Sequence, residues 1–441
     1  GGNYKVASFN VLNYFTTFTN GATASGQTGQ GCRLDNSVSA SNCRGANNLV
    51  EFNRQRNKII RALTAINADV VGLMEIQNNG STAAQDLVNG LNAVLGANTY
   101  RVIADPANGT GTDAIKVAMI YKPAKLTPSA AALSDNNSIN NRPTLAQTFQ
   151  AANGEKFSVL VNHLKSKSCS GAGGANADQG DGQGCYNPQR LAQANQLVQF
   201  IQTVKNQANN PNVMVIGDLN AYGKEDPVLV LENAGMQDLV ARFNGQDGYS
   251  YVFDGEAGYL DHALANTELA AHVTGTTLWK INADEPFVID YNTEFKPQDL
   301  YTDTPYRSSD HDPVIVGLQL VKSVQGTGQR DTLVGTAGDD VLNGGIGADT
   351  LTGLAGRDLF VYQSMRDATD IITDFTPGED QLDIRELLQS IGYQGAQPFD
   401  DGVARWVSVS GGTQLQISAK PLVTLRGVVP ASLNAQRDVR W

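Results

Sequence analysis

The 441-residue sequence has only four cysteines and four histidines, and 32 basic groups against 44 acidic ones. Each scarcity excludes something. No run approaches the roughly 18–20 apolar residues of a membrane-spanning helix, so stable membrane insertion is not expected. The opening GGNYKVASFNVLNYF has no basic region and no cleavage site, and does not read as a signal peptide. A net charge of −12 argues against a broad basic face that grips nucleic acid. The deficit is shared: residues 1–322 hold 23 basic and 29 acidic groups, and 323–441 hold 9 and 15. An enzyme that holds a few phosphates locally and adds metal charge fits that balance.

The four cysteines fall in two near pairs, each spanning a Gly-, Ser- and Asn-rich loop. Cys32 and Cys43 flank RLDNSVSASN; Cys169 and Cys185 flank SGAGGANADQGDGQG. Three pairings are possible. The local one is expected, because it would restrict two otherwise loose loops by roughly 2–3 kcal/mol each in the chain-entropy model. A zinc site is the competing reading, but neither spacing fits one and neither loop contains a histidine. Paired cysteines point to an oxidising destination.

At 41% apolar residues the chain can fill a core, and its length suggests two domains. Up to about residue 321, strand-like runs alternate with helical ones, as in a layered α/β domain. The strand-like runs are YKVASFNVL, DVVGLMEI, AIKVAMIYK, KFSVLVNHL, NVMVIGDLN, YLDHALA and DPVIVGLQL; VEFNRQRNKIIRALTAI and PQRLAQANQLVQFIQTV are helical. The basic face of the first helix (Arg54, Lys58, Arg61) is expected to be merely solvated.

After Lys322 the register becomes strict. Gly326, Gly335, Gly344 and Gly353 are nine apart, as are Asp331, Asp340, Asp349 and Asp358, and Leu333, Leu342, Leu351 and Phe360. A nine-residue period in three residue classes is the mark of a solenoid. Glycines permit tight turns that aim carbonyls inward, and each aspartate adds a carboxylate, giving the oxygen shell that Ca²⁺ prefers. This region resembles the RTX domain of proteins exported by type I secretion. The resemblance implies a coil of two repeats, so Asp331 should stack over Asp349 and Asp340 over Asp358. Gln329 stands where the later repeats have glycine, so two well-formed sites are expected. DATDIITDFTPGEDQLDI resembles the segment that follows such rolls in serralysin-type secretion domains, with Asp367, Asp370, Asp374 and Asp383 as further candidate ligands. That resemblance covers about residues 326–441 and implies an uncleaved C-terminal export signal, the type I machinery as a partner and an extracellular location.

Polar groups close several strands of the first part: Asn10, Glu75, His163, Asp218 with Asn220, Asp261, and Asp310 with His311. One carboxylate at a strand end is an ordinary cap; so many at successive ends are not. Phosphodiester hydrolysis needs such a set. Asn10, Glu75 and Asp310 could bind a hard divalent ion, Mg²⁺ or Mn²⁺. Asp218 could align a water, with His311 held by Asp261. Arg142 and His163 could neutralise phosphate oxygens, and Lys165 and Lys167 could hold flanking phosphates.

The order N…E…R…NH…GDLN…D…SDH resembles the endonuclease/exonuclease/phosphatase superfamily, which includes deoxyribonuclease I. VNHLKSKS, GDLNAYGKEDP, YSYVFDGEAGYLDHALA and YRSSDHDPVIVGL are similar to bacterial extracellular endonucleases of the ExeM/NucH type. The resemblance implies a four-layer α/β (α+β) sandwich of two facing mixed sheets over 1–322, followed by a calcium-binding parallel β-roll domain over 323–441. It also implies metal-dependent cleavage of DNA leaving 5′-phosphate ends, by a secreted monomer. Carried over residue by residue, Asn10, Glu75 and Asp310 match metal ligands. Asp218, Asn220, His163, His311 and Asp261 match the acid–base and positioning groups. One departure stands out: Ile115 occupies the position of the glutamate that orients the first histidine, and Asp113 is the candidate substitute. His262 is expected only to pack, and His272 to lie on the surface. The acidic groups of INADEP, and Asp178 and Asp181, have no derived role. Two other readings remain open. One is a phosphodiesterase or phosphatase acting on phospholipid or inositol phosphate; the other is an inactive calcium-dependent matrix-binding module.

Overall fold

The computed structural model describes residues 2–441. The chain divides into two compact units, Gly1–Phe149 with Lys156–Gln319, and Gln150–Glu155 with Leu320–Trp441.

The first unit is a four-layer α/β sandwich. Its first sheet runs, edge to edge, Val273–Leu278, Val314–Leu318, Tyr4–Tyr14, Val70–Gln77, Ile115–Tyr121 and Arg101–Val102. Its second runs Met236–Asp238, Asp261–Asn266, Val213–Asp218, Lys156–His163, Thr144–Ala151 and Leu126–Pro128. Alternation along each strand divides the side chains between two faces. In the strand Tyr4–Tyr14, Ala7, Phe9 and Val11 join a buried cluster with Phe52, Ile59 and Leu63 of the helix Leu49–Ile66. Each such fully buried large side chain contributes roughly 1.5–3 kcal/mol. Leu160, Val213, Val215 and Leu264 likewise pack on Leu197, Ile201 and Val204 of the helix Asn187–Ala208. The remaining alternate residues face the other sheet. The sheets approach closely at Gly72, where a Cβ would lie 2.7 Å from Ile216 Cδ1 and 2.8 Å from Val161 Cγ2.

The topology explains why the polar residues gather. Tyr4–Tyr14 runs parallel to Val70–Gln77, and Lys156–His163 parallel to Val213–Asp218, so their C-terminal ends lie along one edge. Asp261–Asn266 and Val314–Leu318 are antiparallel to their neighbours and bring their N-terminal ends to that same edge.

The basic helix face is not merely solvated. Arg54 pairs with Asp299, Arg61 with Asp303, and buried Lys58 donates to the carbonyl of Tyr306, clamping the segment 299–306.

The second unit is a β-roll with two sheets of parallel strands. Lys322–Gln325, Asp340–Asn343, Leu359–Val361, Gln381–Asp383 and Val439–Arg440 form one. Thr332–Val334, Thr350–Thr352, Asp370–Ile372 and Lys420–Arg426 start the other, which continues antiparallel through Gly412–Ile417 and Ala404–Val409. Leu342, Leu351, Phe360, Ile372 and Leu382 point inward into one core. Among the described residues, no helix is long and apolar enough to cross a membrane.

Candidate active site and calcium roll

The site lies on the floor of a cleft of about 1070 Å³, bordered by the second cysteine loop and by residues 248–260. Asn10 ends the regular inward-facing run of its strand, and its Nδ2 donates to Glu75 Oε1 at 3.3 Å and Asp218 Oδ2 at 3.2 Å. Glu75 reaches the site by breaking alternation. Val71 and Leu73 pack among the helix-facing residues, so strict alternation would turn Glu75 to that side as well. A bulge between Leu73 and Ile76, with Glu75 at φ 63°, turns its carboxylate into the cleft instead. Leu12 and Asn13, at φ 55° and 49°, form a matching irregularity, and the Asn13 amide donates to Glu75 Oε2 at 2.9 Å. Such backbone conformations persist where the surroundings hold them, as they do here.

Asp218 is central. Its Oδ2 lies 3.6 Å from His163 Nε2 and 3.7 Å from His311 Nε2, and its Oδ1 accepts from the Asn220 amide at 2.9 Å. Asp261 pairs across the sheet with Asp218, and its Oδ2 lies 2.6 Å from His311 Nδ1. The same oxygen accepts from Ser250 Oγ at 2.7 Å. The Tyr251 ring covers the His311 imidazole, centroids 4.7 Å apart. Burial alone would lower the pKa of His311. The carboxylates of Asp261, Asp218 and Asp310 outweigh it and raise it well above the usual range.

His163 is its opposite. Burial, then the charges of Arg142, His311 and Arg44, hold its pKa well below the ordinary value, so the ring is neutral. Its Nδ1 is buried with no protein partner. Asp113 does not orient it, contrary to expectation. The strand begins only at Ile115, and Asp113, ahead of it, pairs with Arg142 at 3.4 Å and Arg44 at 3.3 Å. A neutral His163 can offer a hydrogen bond but no charge; Arg142 and Arg44 line the cleft with charge. Arg142 is itself braced by donation to the Leu164 carbonyl at 2.6 Å, and the same carbonyl accepts from Asn220 Nδ2.

The two candidate phosphate-binding lysines sit in different surroundings. Lys167 is committed: its ammonium sits between both oxygens of Glu225, at 2.5 and 2.7 Å, and the Gln183 carbonyl at 2.6 Å. It ties down the second cysteine loop. Lys165 lies over the Tyr186 ring, 4.3 Å from its centroid. The cysteines pair locally, Cys32 with Cys43 and Cys169 with Cys185. The second loop borders the cleft through Ser166 to Cys169 and Asp178 to Cys185, whereas Cys32 and Cys43 pack against Phe15, Ala114 and Ile115. His262 is buried with its Nε2 2.6 Å from the Ala221 carbonyl, and His272 is half-buried against the Gln319 carbonyl rather than free on the surface.

INADEP acts through its first three residues rather than its acidic ones. Asp312 Oδ1 accepts from the amides of Ile281, Asn282 and Ala283, while Asn282 Nδ2 donates to the His311 carbonyl and its Oδ1 accepts from Ser308. This clasp fixes the loop that carries Asp310 and His311. Ser309 Oγ donates to the Asn10 carbonyl at 2.6 Å and joins that loop to the first strand. Ser250, Ser309 and Asn282 are neutral polar residues in loops, and no spacing in the sequence singles them out.

Glu75 and Asp310 suit a hard divalent ion, because both offer carboxylate oxygens, and Glu75 is pushed up in pKa by burial and then by the facing Asp310 carboxylate, a repulsion that a cation removes. Asn10 differs from expectation: it turns its Nδ2 to Glu75 and Asp218, and its Oδ1 accepts from the Leu12 amide at 3.1 Å. Asp218, Asp261 and His311 also cluster tightly enough to hold an ion. The 2.6 Å contact between two of them is a hydrogen bond, however, and leaves no room for a metal between them.

In the roll, Asp331 stacks on Asp349 and Asp340 on Asp358, each upper amide donating to the carboxylate below at 2.7 and 3.0 Å. The columns extend one rung further than the repeats. Asp349 donates to Asp370 and Asp358 to Asp380, over steps of 21 and 22 residues. Asp380 was not among the expected ligands. Asp367, Asp374 and Asp383 lie outside both columns: Asp367 accepts from Gln363 and Ser364, Asp374 from the amides of Gly353 and Leu354, and Asp383 pairs with Arg385. The second oxygens of Asp349, Asp358 and Asp370 are buried and unpartnered, which is what an absent cation would leave. At Gly353 a Cβ would lie 2.1 Å from Asp358 Oδ2, so only glycine fits there.

Residues 8–311 match the Endonuclease/Exonuclease/phosphatase family, and 325–360 match the RTX calcium-binding nonapeptide repeat. The chain therefore belongs to the endonuclease/exonuclease/phosphatase family, whose members are metal-dependent hydrolases, and carries calcium-binding repeats behind that domain. No curated protein matches the sequence. Among solved structures it is similar to a mannosyl-6-phosphatase of Bacteroides thetaiotaomicron, at 14% identity and TM-score 0.44, covering 72% of this chain and 100% of that one. It is also similar to the human Nocturnin catalytic domain with bound sulfate, at 16% identity and TM-score 0.41, covering 71% and 93%. A third is Danio rerio TDP2 complexed with a single-strand DNA product, at 13% identity and TM-score 0.41, covering 71% and 97%.

Proposed function

We propose that the chain is a secreted, divalent-metal-dependent DNA endonuclease that hydrolyses phosphodiester bonds to leave 5′-phosphate ends. The observation that carries this reading is Asp218 lying between the imidazoles of His163 and His311, beside the carboxylates of Glu75 and Asp310, on the floor of an open cleft. In this reading Asp218 aligns the attacking water, and His311, fixed at Nδ1 by Asp261, exchanges a proton through Nε2. Arg142 draws the phosphate in by charge, and His163 adds a hydrogen bond to a non-bridging oxygen. Glu75 and Asp310 would hold Mg²⁺ or Mn²⁺, which supplies positive charge against the phosphate. A cleft of this size and openness suits a polymer that passes through, whereas a phosphatase pocket need only enclose one terminal group. The two disulfides and the calcium repeats favour an extracellular destination reached by type I export.

The test is cleavage of supercoiled plasmid with Mg²⁺, Mn²⁺ or EDTA, beside sphingomyelin and inositol phosphate. Nicking of the plasmid that EDTA abolishes is expected. Hydrolysis of the lipid or inositol phosphate with intact plasmid would replace this reading by the phosphatase one.

A further inference from the structure

Among the described residues, one exposed aromatic on the cleft wall, Phe253, stacks on no other ring or cation. Tyr251–Phe253 and Glu256–Gly258 form a hairpin, with Phe253 paired to Glu256 across the turn. Asp254 and Gly255 make that turn, at φ 51° and 82°. Two left-handed residues give the type I′ connection, the tightest and best-matched turn for a twisted hairpin. The finger is therefore stiff. Its base is pinned, because Gly258 sits so close to Tyr222 that a Cβ would lie 2.6 Å from the ring. Along the strand, Tyr251 and Phe253 share a face. Tyr251 covers His311, yet Phe253, about 6.8 Å further out, is 66% exposed and lines the same cleft.

We infer that Phe253 is a stacking platform for a nucleobase next to the scissile phosphate, so that the preferred substrate is nucleic acid with unpaired bases at the cut. A solvent-facing ring on the cleft wall is open to a planar partner, and a base has a π-face that fits it whatever its identity. A paired base presents no free face to the ring. This inference rests on the nuclease reading above and specifies its substrate.

The experiment uses full-length protein with Mg²⁺ and short single-stranded oligonucleotides holding one cleavable phosphodiester, flanked either by bases or by abasic sugars. Phe253→Ala should lower kcat/KM on the base-flanked strand about 10-fold and leave the abasic-flanked one nearly unchanged, and Phe253→Trp should keep wild-type rates on both. Equal losses on both strands would make the ring a structural part of the hairpin and overturn the inference. Wild-type rates for Phe253→Ala on the base-flanked strand would overturn it as well, while leaving the nuclease reading intact. If the wild-type protein nicks plasmid but cuts neither strand, the inference is overturned and the nuclease reading stands; if it cuts neither plasmid nor strand, the nuclease reading fails and the inference falls with it.

Discussion

Two histidines in this cleft do different work because of what stands beside each ring. His311 has three carboxylates near it and one at hydrogen-bond distance; His163 has two guanidinium groups and an unpartnered Nδ1. Removing His311 should therefore cost more than a contact. His311→Ala is expected to lower cleavage at least ~10²-fold, the scale of losing a positioned acid–base group, with the melting temperature little changed. Asn282→Ala tests the clasp behind it. Asn282 touches no cleft surface, so its loss should lower kcat with KM nearly unchanged, and should also reduce stability, by about 1–3 kcal/mol for buried partners left unpaired. Steady-state kinetics and chemical denaturation of the two variants separate these outcomes.

Among the elements, the roll is where charge and folding are most tightly joined. Asp358 and Asp370 are raised to about 7, by burial first, and then by Asp380 for Asp358 and by Asp349 for Asp370. In calcium-free buffer their folded pKa values exceed the unfolded ones. The calcium-free roll is then favoured while these groups are protonated, and loses that support as pH rises through about 7. Two of the three tryptophans, Trp406 and Trp441, pack against the core of this unit. In EDTA their fluorescence should report a more folded roll at pH 5 than at pH 8, and millimolar calcium should abolish the difference. A calcium-free signal that does not change with pH would show that the columns do not govern the fold. The second cysteine loop shows the same economy with different means: a disulfide, the Lys167–Glu225 pair and buried Arg190 hold a segment with almost no regular structure.

For the whole molecule, two kinds of oxygen site fall in two different units. In the cleft the carboxylates of Glu75 and Asp310 face one cavity; the roll offers stacked columns of aspartates. Small ions that demand near-octahedral shells suit the first, and larger, flexible coordination suits the second. After chelation, Mg²⁺ or Mn²⁺ alone should restore plasmid cleavage, and Ca²⁺ alone should restore the tryptophan signal of the roll without restoring cleavage. Full cleavage with calcium as the sole ion would contradict this division.

How much of this was legible in the sequence varies with the range of the interaction. Period-two runs determined the strands, helical periodicity determined Leu49–Ile66 and Asn187–Ala208, and the nine-residue register determined which aspartates stack, because each is a local regularity that burial imposes. The short cysteine spacings similarly favoured local disulfides. The tertiary structure decided what depends on distant partners or on broken regularity. Asn10 meets Asp218 across 208 residues. Glu75 enters the cleft only through a bulge that violates the alternation used to find its strand. Lys167 looked free until Glu225 was beside it, and Asp113 looked like a partner for His163 until two arginines claimed it. Asp380 joins its column after a step of 22 instead of 18, where the repeat has already ended. Local patterning reports which face a residue buries. Which charges then meet on that face is settled only when the chain has closed on itself.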